Sequence, residues 1–165
     1  MEIQQQFTKL YQLLQRQEQV IEQLIVAAEE QSQYLRSNDT KNLQPVTEKQ
    51  EVLSNTLSTL EKDRLQVQQT LENELGLPGE SSLEHLTIYA EQKTALDLNS
   101  IKSSMQNNTE RLKEINSLNQ ALADQALQFT NFMLKLLQPQ PGTGYTKEGN
   151  INKTPTNKSR LNKSI

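Results

Sequence analysis

Residues 7–35 read FTKLYQLLQRQEQVIEQLIVAAEEQSQYL, and this stretch decides the fold. Apolar residues fall at Phe7, Leu10, Leu14, Ile21, Leu24, Ala28 and Leu35, three and four apart, with Gln17 and Gln31 filling the missing turns. A period near ~3.5 residues is a heptad seam, the signature of a long helix laid along a partner helix. Tyr11, Leu13, Val20 and Ile25 flank the seam, so the buried face is wider than a two-stranded coil needs. Nothing between Ile3 and Arg36 breaks a helix, and at ~1.5 Å per residue it would run roughly 50 Å.

Outward from this helix, Ser37-Asn38-Asp39-Thr40 is a cluster of turn and cap residues that ends one helix and starts another. The second helix is expected to run to Leu75 on Val46, Leu53, Leu57, Leu60, Val67 and Leu71. Pro45 then belongs in its first turn, where the missing N–H costs no bond. So short a connection folds the two helices back antiparallel. Gly76-Leu77-Pro78-Gly79 is the strongest break in the chain: Gly76 suits a left-handed cap and Pro78 stops continuation. Ser81 and Glu84 read as a capping box for a short helix through Tyr89.

A last long helix is expected from Glu91 to Leu137, on Leu98, Ile101, Met105, Leu112, Ile115, Leu122, Ala126, Phe129, Met133 and Leu136. Asn108 and Asn119 are its polar seam positions. After Gln138 the Pro/Gly-rich Gln-Pro-Gln-Pro-Gly-Thr-Gly ends all periodicity. The remainder carries Lys147, Lys153, Lys158, Arg160 and Lys163 against Glu148, and has too few apolar residues to fold alone. The expected organisation is a helical bundle domain over 1–138 and a flexible basic tail over 139–165. The fold class is all-α: an elongated antiparallel bundle or coiled coil of three long helices plus one short one.

Composition agrees. Hydrophobic residues make up 33% and aromatics 4% with no Trp, too little for a thick core but enough for one stripe per helix. A net charge of −3 gives no general pull toward nucleic acid. The absence of Cys removes thiolate metal sites and cysteine nucleophiles. No apolar run approaches the ~20 residues of a membrane span. The first residues lack a secretory pattern, so the expected location is the cytoplasm.

Catalytic chemistry finds no constellation. His85 is alone, with no second His to complete a zinc site, and its plainer reading is a half-packed or solvated side chain. Gly142-Thr-Gly144 follows a helix and fits no phosphate-binding loop. No metal, cofactor or enzymatic activity is expected. The Asn-x-Ser/Thr triplets beginning at Asn152, Asn157 and Asn162 mean little without a secretion signal.

The informative feature is the end of the last helix, where Leu127, Phe132, Leu134 and Leu137 add apolar residues off the main seam. One reading is core, since a helix between two neighbours needs a wide face. The other is a surface for an amphipathic helix of a partner, with Met and Phe making it adaptable. The polar seam residues Gln17, Gln31, Gln50, Arg64, Asn108 and Asn119 also have two readings. They set register, or they mark turns where the helices part and water enters.

With these residues on the page, the chain resembles the FlgN-type flagellar export chaperones. The resemblance rests on the helix order, the break Glu74-Leu-Gly-Leu-Pro78, the spacing Asn116-x-x-Asn119-x-x-Leu122, and Tyr145 with Gly149 after the Pro/Gly break. The tail beyond Gly149 is longer and richer in Asn and Lys than the family pattern. The resemblance implies a cytosolic chaperone that binds the terminal amphipathic segment of hook–filament junction proteins, prevents premature assembly and delivers them to the export gate. The expected client surface is Leu122, Ala126, Phe129, Phe132, Met133, Leu136 and Leu137. Tyr145 is the expected export-gate contact, and Asn116 and Asn119 are the family-motif positions. No nucleic acid or membrane insertion is expected, and homodimerisation is open. The competing reading is a structural coiled-coil adaptor that self-associates through the same stripes.

Overall fold

A computed structural model describes residues 2–137. Four helices follow one another: α1 (Glu2–Arg36), α2 (Thr40–Leu75), α3 (Leu83–Thr87) and α4 (Gln92–Leu137), and the described residues contain no strand. The all-α class, with three long helices packed together and one short one, is as expected. The chain divides into two units, Met1–Leu127 and Gln128–Ile165.

In the first unit, α1 and α2 form an antiparallel hairpin. Cross-helix bonds join Gln17 to Glu61 at 2.9 Å, Glu30 to Lys49 at 3.5 Å and Gln31 to Thr47 at 3.4 Å, partners descending on α2 as positions climb α1. The turn is made by Asn38 at φ +53, a conformation that Asn tolerates better than most residues. Asp39 caps α2, its carboxylate accepting from the Asn42 amide at 3.2 Å. The helix thus starts within the expected 37–40 cluster, but too early to keep Pro45 in its first turn. Pro45 therefore sits in the second turn, where its ring removes the N–H that would bond the Lys41 carbonyl. Its exposure leaves that carbonyl within reach of solvent.

Gly76 ends α2 at φ +65, the expected left-handed cap, its N–H donating to the Asn73 carbonyl at 3.3 Å. The expected Ser81/Glu84 capping box does not form. Ser82 is the cap, its hydroxyl accepting from the His85 amide at 3.2 Å. Ser81 is turned inward: its N–H donates to the buried Glu72 carboxylate at 2.8 Å and its hydroxyl to the Pro78 carbonyl at 2.8 Å. Glu84 is drawn off to Lys102 of α4. α3 ends at Thr87, two residues short of Tyr89.

α4 returns parallel to α1. Gln4 of α1 accepts from the Glu91 amide at 3.2 Å, Arg111 pairs with Glu29 at 2.5 Å, and Asn119 meets Ser32 at 2.5 Å, both helices climbing together. The core lies where the N-terminal half of α1, the C-terminal half of α2, α3 and the start of α4 converge. Phe7, Leu10, Leu71, Leu86 and Leu98 are fully buried there, one or more from each helix. Each side chain of this size contributes ~1.5–3 kcal/mol on burial, so this cluster is the unit's main anchor.

Candidate functional site

Higher on α4 the seam meets α1 through polar atoms. Asn119 is buried, its side-chain amide donating to the Ala28 carbonyl at 2.8 Å and to Gln31 Oε1 at 2.9 Å. Gln31 in turn accepts from Gln50 of α2 and donates to Thr47 at 3.4 Å. One amide network thus joins all three long helices at one level. Of the two readings of the polar seam, Asn119, Gln31 and Gln50 follow the first: they tie register rather than mark a parting of helices. Asn116, the other motif position, is exposed.

Ser32 lies one turn before α1 ends at Arg36, so α1 can cover little of the stretch of α4 from Gln120 to Leu127. Leu122 and Ala126, the last seam residues of the first unit, are half-buried. In the second unit the described residues, 128–137, are helical, and every one of them is exposed. Phe129 is 61% exposed, Phe132 57%, Met133 39%, Leu136 64% and Leu137 74%. Lys135 is the only charge among them. Phe129, Phe132, Met133 and Leu136 recur at the spacing of one helical face. A charge-poor apolar helical face open to solvent is chemically a seat for another apolar face. Tyr145 lies outside the described residues, as does the rest of the expected tail.

A second polar chain runs along α2, which the sequence did not single out beyond Arg64. The Arg64 guanidinium holds both oxygens of Glu61 at 2.7 Å and reaches Gln68 at 2.6 Å. Gln68 donates onward to Glu72 at 3.0 Å and to the Ser81 carbonyl at 2.9 Å. The Arg64 hydrogen bond holds the Glu61 carboxyl below its ordinary pKa, helped by Gln17 and opposed by partial burial. Helical spacing of three and four residues was the available signal; pairing with Gln17 across α1 was not legible.

His85 is half-covered, its ring edge-on to Tyr89 with centroids 6.0 Å apart. Among the described residues, no group of three or more His, Cys, Asp and Glu converges as a metal-ligand set. No helix among them is long and apolar enough to cross a membrane.

A family model described as FlgN protein matches residues 1–153. The chain is also similar to the uncharacterized protein YvyG of Bacillus subtilis (strain 168), at 25% identity over 143 residues, 87% of this chain and 83% of that protein. No solved structure matches it.

Proposed function

The chain belongs to the FlgN family, and from that premise we propose that it is a cytoplasmic flagellar export chaperone for hook–filament junction proteins. A junction protein's terminal segment is amphipathic and unpaired before assembly. The chaperone buries that face, keeps the client from polymerising, and carries it to the export gate. The seat is the end of α4: Phe129, Phe132, Met133, Leu136 and Leu137, with Leu122 and Ala126 as the seam positions before it. Tyr145 and its flanking basic tail make the contact with the gate. The function needs no catalytic step and no cofactor.

The observation that carries this reading is the exposure of large apolar side chains on a described helix whose other apolar seam residues are buried or half-buried. Each client Leu- or Phe-sized side chain seated there contributes ~1.5–3 kcal/mol before ordering costs. Ordering a disordered client offsets ~2–5 kcal/mol of that, which keeps the complex releasable. The turn at 37–39 folds α2 back on α1, and the turn at 76–82 ends α2, which argues against an uninterrupted structural rod.

The test is light scattering on size-separated mixtures with purified junction proteins. A stoichiometric complex is expected, lost when the client's terminal segment is deleted. Phe129→Ala, Phe132→Ala and Met133→Ala together should weaken binding at least tenfold and leave the thermal midpoint within a few degrees. Full binding by that triple variant, with folding intact, sinks the assignment of the seat.

A further inference from the structure

We propose that α4 is a strap: from Lys102 to Leu127 it opens away from the α1–α2 hairpin while the core stays folded, and Asn119 is the latch that closes it. The residues that α4 buries are Leu98, Ile101 and Asn119. Leu98 and Ile101 belong to the core, and just before them Gln4 of α1 holds the Glu91 amide. Beyond Ile101 the apolar seam is covered by half: Met105, Leu112, Ile115, Leu122 and Ala126 all keep part of their surface in water. The contacts Gln4–Glu91 and Ser32–Asn119 both span 87 residues, so α1 and α4 keep one register between them. That register sets Leu112 level with Ile25 and Ile115 level with Ala28, and on α1 both Ile25 and Ala28 are buried. The α1 strip is thus closed at levels where α4 is half open, since α1 packs most closely on α2. A cavity of about 330 Å³ lies where Ile21 of α1, Leu57 of α2 and Met105 of α4 come together. Apolar groups facing such a space forfeit part of their dispersion attraction. A segment with few buried apolar contacts opens at lower free energy than the whole fold.

The polar contacts of the strap are built to let go. The Ala28 carbonyl that accepts from Asn119 also accepts from the Ser32 hydroxyl at 3.0 Å. Gln31 Oε1, the other acceptor, also receives Gln50 at 3.3 Å. When Asn119 withdraws, both acceptors keep a donor within the hairpin, and the Asn119 amide passes into water. Opening therefore strands no polar group at this level, and the penalty that holds most buried polar contacts shut is missing. The Arg111–Glu29 pair adds little, because both side chains are open to water and screened. Lys102, held by Glu84 of α3, stands at the core end of the strap and stays with it. α4 contains no Gly or Pro, so it has no sequence feature at which to kink halfway, and the strap opens as one piece.

The open form uncovers Leu112, Ile115 and Leu122 in the first unit. A partner that takes these faces draws the equilibrium toward the open form by its preference for that form. The opening itself is a property of the free protein and does not rest on the client assignment.

Native-state hydrogen exchange on the full chain, without any client, tests the strap. Amides from Gln106 to Leu127 should share one opening constant, at least tenfold larger than that of the Leu98 and Ile101 amides. Asn119→Ala should raise both constants by the same factor, because it destabilises the closed form alone. Strap amides as slow as those of the core overturn the proposal, as does a steady gradient toward Leu127, which is fraying. A rise confined to the neighbours of residue 119 removes the latch. Since the chain has no cysteine, paired spin labels give an independent measurement. Asn119→Asp loses the donor to both acceptors and sets a charge against them. It should add a longer distance between labels at Gln33→Cys and Gln120→Cys, both exposed. Labels at Lys9→Cys and Asn99→Cys, beside the core, should keep their distance. Lengthening of both pairs means global unfolding, and lengthening of neither means a fixed helix; each result overturns the strap.

Discussion

Asn119 occupies a seam position where an apolar residue would bury more surface, and it is satisfied there. Its amide donates to Ala28 and Gln31, and its carbonyl oxygen accepts from Ser32. Removing it takes away two part-buried or buried hydrogen bonds and leaves a small void, although the Ala28 carbonyl keeps the Ser32 hydroxyl and Gln31 Oε1 keeps Gln50. Asn119→Ala should therefore cost about 1–3 kcal/mol in denaturant unfolding, whereas exposed Asn116→Ala should stay within about 0.5 kcal/mol. The two share one spacing in the sequence, and only tertiary contacts separate them. The same is true of the phenylalanines. Phe7 is fully buried while Phe129 and Phe132 stand open, although all three occur on apolar helical faces.

At the scale of the helix, spacing predicted which residues lie near one another but not which partner each takes. Ser81 had the pattern of a cap and Ser82 took the role, because Glu72 holds the Ser81 amide from the turn side. Lys102 likewise removed Glu84 from the expected box. On α2 the run Glu61, Arg64, Gln68, Glu72 forms a connected ladder from the hairpin to the α2–α3 turn. Its pH dependence follows from Glu61, whose folded pKa lies below the unfolded value because Arg64 and Gln17 bond the charged form. A lowered carboxyl pKa contributes stability above the unfolded value of ~4.3, and that contribution is lost as pH falls through the folded pKa. Glu61→Gln should flatten this part of the acid limb of stability below about pH 4.3. The effect should be small, because the Glu61 side chain is 45% exposed and water screens the pair. An acid limb identical to wild type in urea titrations from pH 5 to pH 2.5 would contradict it.

For the whole molecule, the division at residues 127 and 128 sets folding apart from the proposed recognition. The core residues all lie in the first unit, and the described part of the second buries none of its side chains. A chain ending at Leu127 should keep cooperative thermal unfolding within a few degrees of the full protein, measured by circular dichroism. It should also lose client binding. A collapse of its melting transition would mean that residues 128–137 stabilise the bundle. The sequence by itself determined the helices, their two breaks and the antiparallel hairpin. Those follow from local periodicity, from Gly76 at a left-handed cap and from Asp39 at a helix start. Only the tertiary structure decided which apolar residues are covered, since burial depends on where a neighbouring helix ends. α1 stops at Arg36, one turn beyond the level of Asn119, whereas the apolar pattern of α4 in the same unit runs on through Leu122 and Ala126 without any local sign that its partner has ended.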